Sequence, residues 1–83
     1  MSGNERQAIR EFITTRIAKK SEHRQIGDQD DVIALGVIDS LGIMHLIAYL
    51  EKTFGMRIRD DEILPENFAS VEAIASFVHR TRA

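Results

Sequence analysis

Few residues in this chain have types and neighbours that could do chemistry, and Ser40 stands first among them. It follows Asp39 and precedes Leu41, at the start of a segment whose apolar positions recur at helical spacing. Three roles compete for it. The plainest is structural, because a serine hydroxyl at a helix start can accept a bond from an orphan backbone N–H. The second is a hydrolytic nucleophile, which needs a base within hydrogen-bond reach and an oxyanion site. His45 is the nearest histidine, but at i+5 it points about 140° away round the helix. The run Ile38-Asp39-Ser40-Leu41-Gly42 also lacks the G-x-S-x-G elbow. The third role asks only for an accessible hydroxyl. A phosphate ester attached to Ser40 by another enzyme sits at the positive end of the helix macrodipole, where exposed N–H groups favour an anion.

Other chemistry is scarce. With no cysteine there is no disulfide, thiolate nucleophile or cysteine-based zinc site, so any thiol must be imported. His23, His45 and His79 are too widely separated for a helix-borne metal pair, and no metal is expected. No apolar run reaches the roughly 18 residues of a membrane span. The polar opening, Met1 to Arg10, does not resemble a signal peptide, so a cytoplasmic protein is expected. The formal net charge of −2 is unevenly spread. Residues 1–27 carry six Lys/Arg against three Asp/Glu, residues 28–66 three against nine, and residues 67–83 two against one. Phosphate contacts supply most nucleic-acid affinity and demand concentrated basic charge. Here Arg6, Arg10, Arg16, Lys19, Lys20 and Arg24 are interleaved with Glu5, Glu11 and Glu22, which reads as a solvated face, and no nucleic-acid partner is expected.

The elements that must position Ser40 follow from periodicity. Eighty-three residues, 43% hydrophobic and 29% charged, suit one small globular domain, 1–83. Ala8, Ile9, Phe12, Ile13 and Ile17 predict a first amphipathic helix over about residues 4–19, with Asn4 and Gln7 in the form of a capping box. Residues 20–39 show no sustained helical period. Their apolar content predicts an ordered loop, because the run Val32 to Leu35 has no partner strand. Ile43, Leu46, Ile47, Leu50 and Phe54 form the core side of a second helix, which stops at Gly55. A short helical turn is expected at Asp60 to Leu64, closed by Pro65. Ser70 caps a last helix whose buried stripe is Val71, Ile74, Ala75, Phe77 and Val78. The fold expected is all-α: three longer helices, one short helix and a long first loop.

With Ser40 at zero on the helical wheel, Leu41, Met44 and Ala48 fall at about 100°, 40° and 80°, away from a core direction near 300°. They form an apolar strip beside the serine, continued by Glu51 and Lys52. Either Leu41 and Met44 pack under the long loop, or the strip docks partners, with Met44 adaptable in shape.

Leu35-Gly36-Val37-Ile38-Asp39-Ser40-Leu41, then Leu50-Glu51-Lys52-Thr53-Phe54-Gly55, Ile58, Asp60-Asp61-Glu62 and Asn67-Phe68-Ala69-Ser70-Val71, together resemble the acyl carrier protein family. The match runs from about Leu35 to Val78, and the four-helix layout agrees with it. The resemblance implies that Ser40 receives 4′-phosphopantetheine from coenzyme A through a phosphopantetheinyl transferase. It further implies that the thiol of that arm carries an acyl or aminoacyl thioester between partners. These would be a loading ligase and a downstream transferase or synthase of fatty acid or secondary metabolite biosynthesis. The chain itself is then no enzyme but a monomeric carrier, a phosphoprotein in its modified form. The expected partner face is Asp39, Leu41, Met44, His45, Ala48 and Glu51. Gly42, His45 and Lys52 stand where fatty-acid carriers usually have acids, which implies a different partner set and a specialised pathway. The alternative is an unmodified helical interaction module of the same fold.

Overall fold

The computed structural model describes residues 3–18 and 26–82. Among them are four α-helices and no strand. Helix α1 (Gly3–Phe12) continues into a π-helical turn (Ile13–Ile17), α2 spans Ser40–Phe54, α3 spans Pro65–Phe68 and α4 spans Val71–Arg82. A 3-10 turn, Asp60–Glu62, lies between α2 and α3. This is the all-α layout of three longer helices and one short one that the sequence implies. His23 and residues 20–25 of the loop expected at 20–39 lie outside the described residues, as does residue 19 at the expected end of the first helix.

Three boundaries differ from expectation. Gly3 is already helical, so Asn4 stands inside α1 rather than capping it. The first helix is α-helical only to Phe12, and the wider turn that follows carries Ile17 to the start of α2. The expected turn at Asp60–Leu64 is also corrected. It is a single 3-10 turn, and Pro65 opens α3 rather than closing the preceding turn. A proline fits the first turn of a helix because its missing N–H would have no intrahelical partner there.

The core is assembled where the apolar stripes meet. Ile9 and Ile13 from the first helix, Leu46 and Leu50 from α2, Val32 from the loop, Phe68 from α3, and Val71, Ile74 and Val78 from α4 are fully buried. Burying each such side chain stabilises the fold by about 1.5–3 kcal/mol before entropy is counted. Helix α1 packs mainly on α4, and α3 on α4. The far end of α2 is held by aromatic contacts: Tyr49 stacks on Phe12 with centroids 4.1 Å apart and meets Phe54 edge-on at 6.4 Å. Arg82 lies over the Phe54 ring at 5.4 Å and pairs with Glu5 at 3.3 Å.

The described part of the loop is tied down along its length. Arg10 contacts the Ile26 carbonyl and the Asp28 carboxylate, and Arg6 reaches Asp28 at 3.6 Å and Glu72 at 3.0 Å. The Glu72 N–H donates to the Asp28 carbonyl at 2.9 Å, and the Val32 N–H to the Ala69 carbonyl at 2.7 Å. These bonds satisfy backbone groups that a long loop and a helix start would otherwise leave without partners.

Candidate functional site

Ser40 is delivered to the surface by a short sequence of local events. Asp31 Oδ1 accepts from the N–H groups of Ile33 and Ala34, at 3.1 and 2.9 Å, and starts a turn that ends at Gly36. Gly36 has φ +76°, a left-handed conformation that a side chain would strain. Val37 and Ile38 then plunge into the core, and both N–H groups donate to the Val32 carbonyl, at 2.9 and 3.1 Å. With this pair anchored, Asp39 and Ser40 emerge exposed.

Asp39, not Ser40, caps α2. Its backbone is extended, and its Oδ1 accepts from the Gly42 N–H at 2.7 Å. Ser40 is the first helical residue, and its hydroxyl has no hydrogen-bond partner among the described residues. The purely structural role for the serine therefore falls to its neighbour. Among the described residues no histidine contacts Ser40 either: His45 is exposed, with no described contact to it, and Asp39 Oδ1 is bonded to the Gly42 N–H. Among the described residues no group of three His, Cys, Asp or Glu could hold a metal ion.

Gly42 faces inward. A Cβ there would lie 3.1 Å from Ile17 Cγ2 and 3.3 Å from both Ile38 Cγ2 and Asp39 Oδ1. The glycine lets the π-helical turn press against the first turn of α2, so this position presents no side chain to a partner. At the other end, Gly55 ends α2 with φ +61°, its N–H donating to the Glu51 carbonyl.

The proposed partner-facing residues separate into two groups. Leu41 and Met44 are 62% and 60% exposed, so they do not pack under the loop. His45 and Ala48 are exposed beside them. Glu51 is different: it is half-buried, and its Oε2 accepts from the Ile58 N–H at 2.9 Å, fastening the segment after α2. One of its carboxylate oxygens is committed within the chain, which periodicity alone does not reveal.

A 4′-phosphopantetheine ester needs an accessible hydroxyl on a rigid turn, and Ser40 meets that requirement: its hydroxyl is uncommitted and the turn is held by Asp39, Ile38 and Ile17. A family model described as the phosphopantetheine attachment site matches residues 7–78. The chain belongs to this family. No curated protein matches the sequence. As a carrier domain it is the site of covalent 4′-phosphopantetheine attachment and carries intermediates without being catalytic itself. Carrier domains work with phosphopantetheinyl transferases and with biosynthetic enzymes. No described helix of this one is long and apolar enough to cross a membrane.

The sequence reading missed a groove of about 350 Å³ between the Val32–Gly36 turn and α3, lined by Asp31, Ile33, Ala34, Pro65, Glu66 and Ala69. The signals were a carboxylate two and three residues ahead of the N–H groups it caps, and a proline at a helix start. Neither says that the two segments meet.

Proposed function

We propose that Ser40 is the attachment residue and that the chain, as a single domain, is a monomeric cytoplasmic carrier of acyl or aminoacyl intermediates in a specialised biosynthetic pathway. The observation that carries this reading is the exposed Ser40 hydroxyl at the first position of α2, freed from capping by Asp39. When attached, the arm supplies a thiol that holds its cargo as a thioester. The chain's own residues present and dock. Asp39 holds the first turn in shape, the α2 N-terminus favours the phosphate charge, and Leu41, Met44 and Ala48 offer apolar contact beside the serine. Tethering the cargo raises its concentration near any enzyme so docked.

The pathway assignment is supported by charge. On the exposed side of α2, His45 and Lys52 stand beside only two carboxylates, Asp39 and Glu51, and each of these already accepts a backbone N–H through one oxygen. A partner that searches for an acidic second helix gains little here. A dedicated loading ligase, with a downstream transferase or synthase, fits this face better than the standard fatty-acid enzymes.

Intact-mass measurement after incubation with coenzyme A and a broad-range phosphopantetheinyl transferase tests the attachment residue. The protein gains one phosphopantetheinyl group and Ser40→Ala gains none. An unchanged mass for the unaltered protein, or a gain on Ser40→Ala, refutes the assignment and leaves the unmodified interaction module.

A further inference from the structure

Ser40 makes no hydrogen bond of its own among the described residues, so the direction of its hydroxyl is set by the backbone that carries it. That backbone is the first turn of α2, and Gly42 is the buried member of the turn. A glycine inside a helix is unfavourable relative to alanine, because it gives up more chain entropy on folding. Nor does backbone conformation require one here: among the described residues the glycines with positive φ are Gly36 and Gly55. Gly42 is therefore needed for the space it leaves.

Three supports of the site converge on that space. The nearest atoms to a Cβ at Gly42 belong to Ile17, Ile38 and Asp39, and all three contacts are tighter than ordinary packing yet short of a hard clash. Ile38, 2% exposed, anchors the chain as it enters α2. Asp39 Oδ1 is the cap, and the N–H it accepts is that of Gly42 itself. Ile17 comes from the first helix, at the end of the π-helical turn in which the Ala18 N–H donates to the Ile13 carbonyl at 2.8 Å. Thr14 and Thr15 brace this turn by donating their hydroxyls to the Arg10 and Glu11 carbonyls, at 2.9 and 2.5 Å. With Ile13 fully buried and Ile17 nearly so, the turn is a fixed floor under the start of α2.

We propose that Gly42 is a positioning residue for phosphopantetheine attachment: its missing side chain seats the first turn of α2 on Ile17, and that seat aims the Ser40 hydroxyl. The proposal rests on Ser40 as the attachment residue and deepens that reading. In the transfer the Ser40 oxygen bonds to the pantetheine-bearing phosphorus of coenzyme A while the pyrophosphate P–O bond breaks. Adenosine bisphosphate leaves, and the hydroxyl proton passes to a base on the transferase. Such a displacement is fast only when the attacking oxygen is in line with the leaving group. A methyl group at position 42 must push Ile17, Ile38 or Asp39 by a few tenths of an ångström. All three carry the same turn, so whichever gives way, Ser40 moves with it. Docking is not affected, because Gly42 is buried and shows a partner no side chain.

The test is steady-state transfer from coenzyme A by a broad-range phosphopantetheinyl transferase, with the carrier as the varied substrate and its mass as the readout. Gly42→Ala lowers kcat about tenfold and leaves KM for the carrier within about twofold, because the exposed face is unaltered. Its far-UV circular dichroism stays helical. Ile17→Leu moves the methyl branch away from Gly42 at nearly constant volume, so the double variant recovers most of the lost kcat. Rates are read well below the melting temperature, where a change in stability alone leaves kcat as it was. An unchanged kcat in Gly42→Ala, a rise in KM alone, a loss that Ile17→Leu does not restore, or a Gly42→Ala chain without helical signal would overturn the proposal. Failure of the unaltered protein to gain the group refutes attachment at Ser40 instead, so the two readings fail in different ways.

Discussion

Asp39 is the single side chain that starts α2, and two substitutions separate what it contributes. Its Oδ1 lies 2.7 Å from the Gly42 N–H, a short bond to a charged acceptor. Asp39→Ala loses that cap, worth about 1 kcal/mol, together with a charge beside the positive helix end, worth about 0.3–1 kcal/mol. Asp39→Asn keeps a capping oxygen and loses only the charge. The expected losses are therefore about 1–2 kcal/mol for Ala and 0.3–1 kcal/mol for Asn. For a domain of this size each kcal/mol moves the melting temperature by about 4–8 °C. Thermal unfolding followed by far-UV circular dichroism places the Ala variant lowest and the Asn variant between it and the unaltered protein. The Gly42 amide also exchanges faster in the Ala variant, because its acceptor is gone. An Ala variant that melts within about 2 °C of the unaltered protein, or an Asn variant that falls equally far, refutes the assignment of the cap.

Further outcomes follow from burial and backbone conformation. Leu50→Ala, at a fully buried position, lowers unfolding free energy by about 2–5 kcal/mol in denaturant titrations. Gly55→Ala forces a side chain onto φ +61° and costs about 1 kcal/mol, read in the same titrations. Leu41→Glu and Met44→Glu keep the helical content, since both side chains are exposed, yet slow loading by partner enzymes in a mass-based assay. Loss of folding in both would place these side chains in the core instead.

The helices nearest the site were legible because their periodicity is strong. All five residues expected in the α4 stripe are buried, and the Ser70 hydroxyl accepts from the Ala73 N–H at 3.0 Å, as its position before the stripe implies. Asp39 and Ser40 were legible as a helix start, but not which of them caps it. Both side chains are good caps, and the choice is made by Val37 and Ile38, whose burial sets the angle at which the chain enters α2. Pro65 was misread because a proline marks a helix boundary without saying on which side the helix lies. The π-helical turn at Ile13–Ile17 has no sequence signature of its own. It exists where Ile17 meets Gly42, two residues that no local pattern connects.

Residue order by itself determined an all-α chain with an accessible serine at a helix start, because helical periodicity, end signals and the absence of cysteine are local properties. Tertiary contact decided which side chains remain available. Glu51 gave one carboxylate oxygen to the Ile58 N–H, Gly42 was closed off by Ile17, and Leu35 and Leu64 were left exposed. Availability depends on what packs against a residue from elsewhere in the chain, and that is settled only when the helices meet.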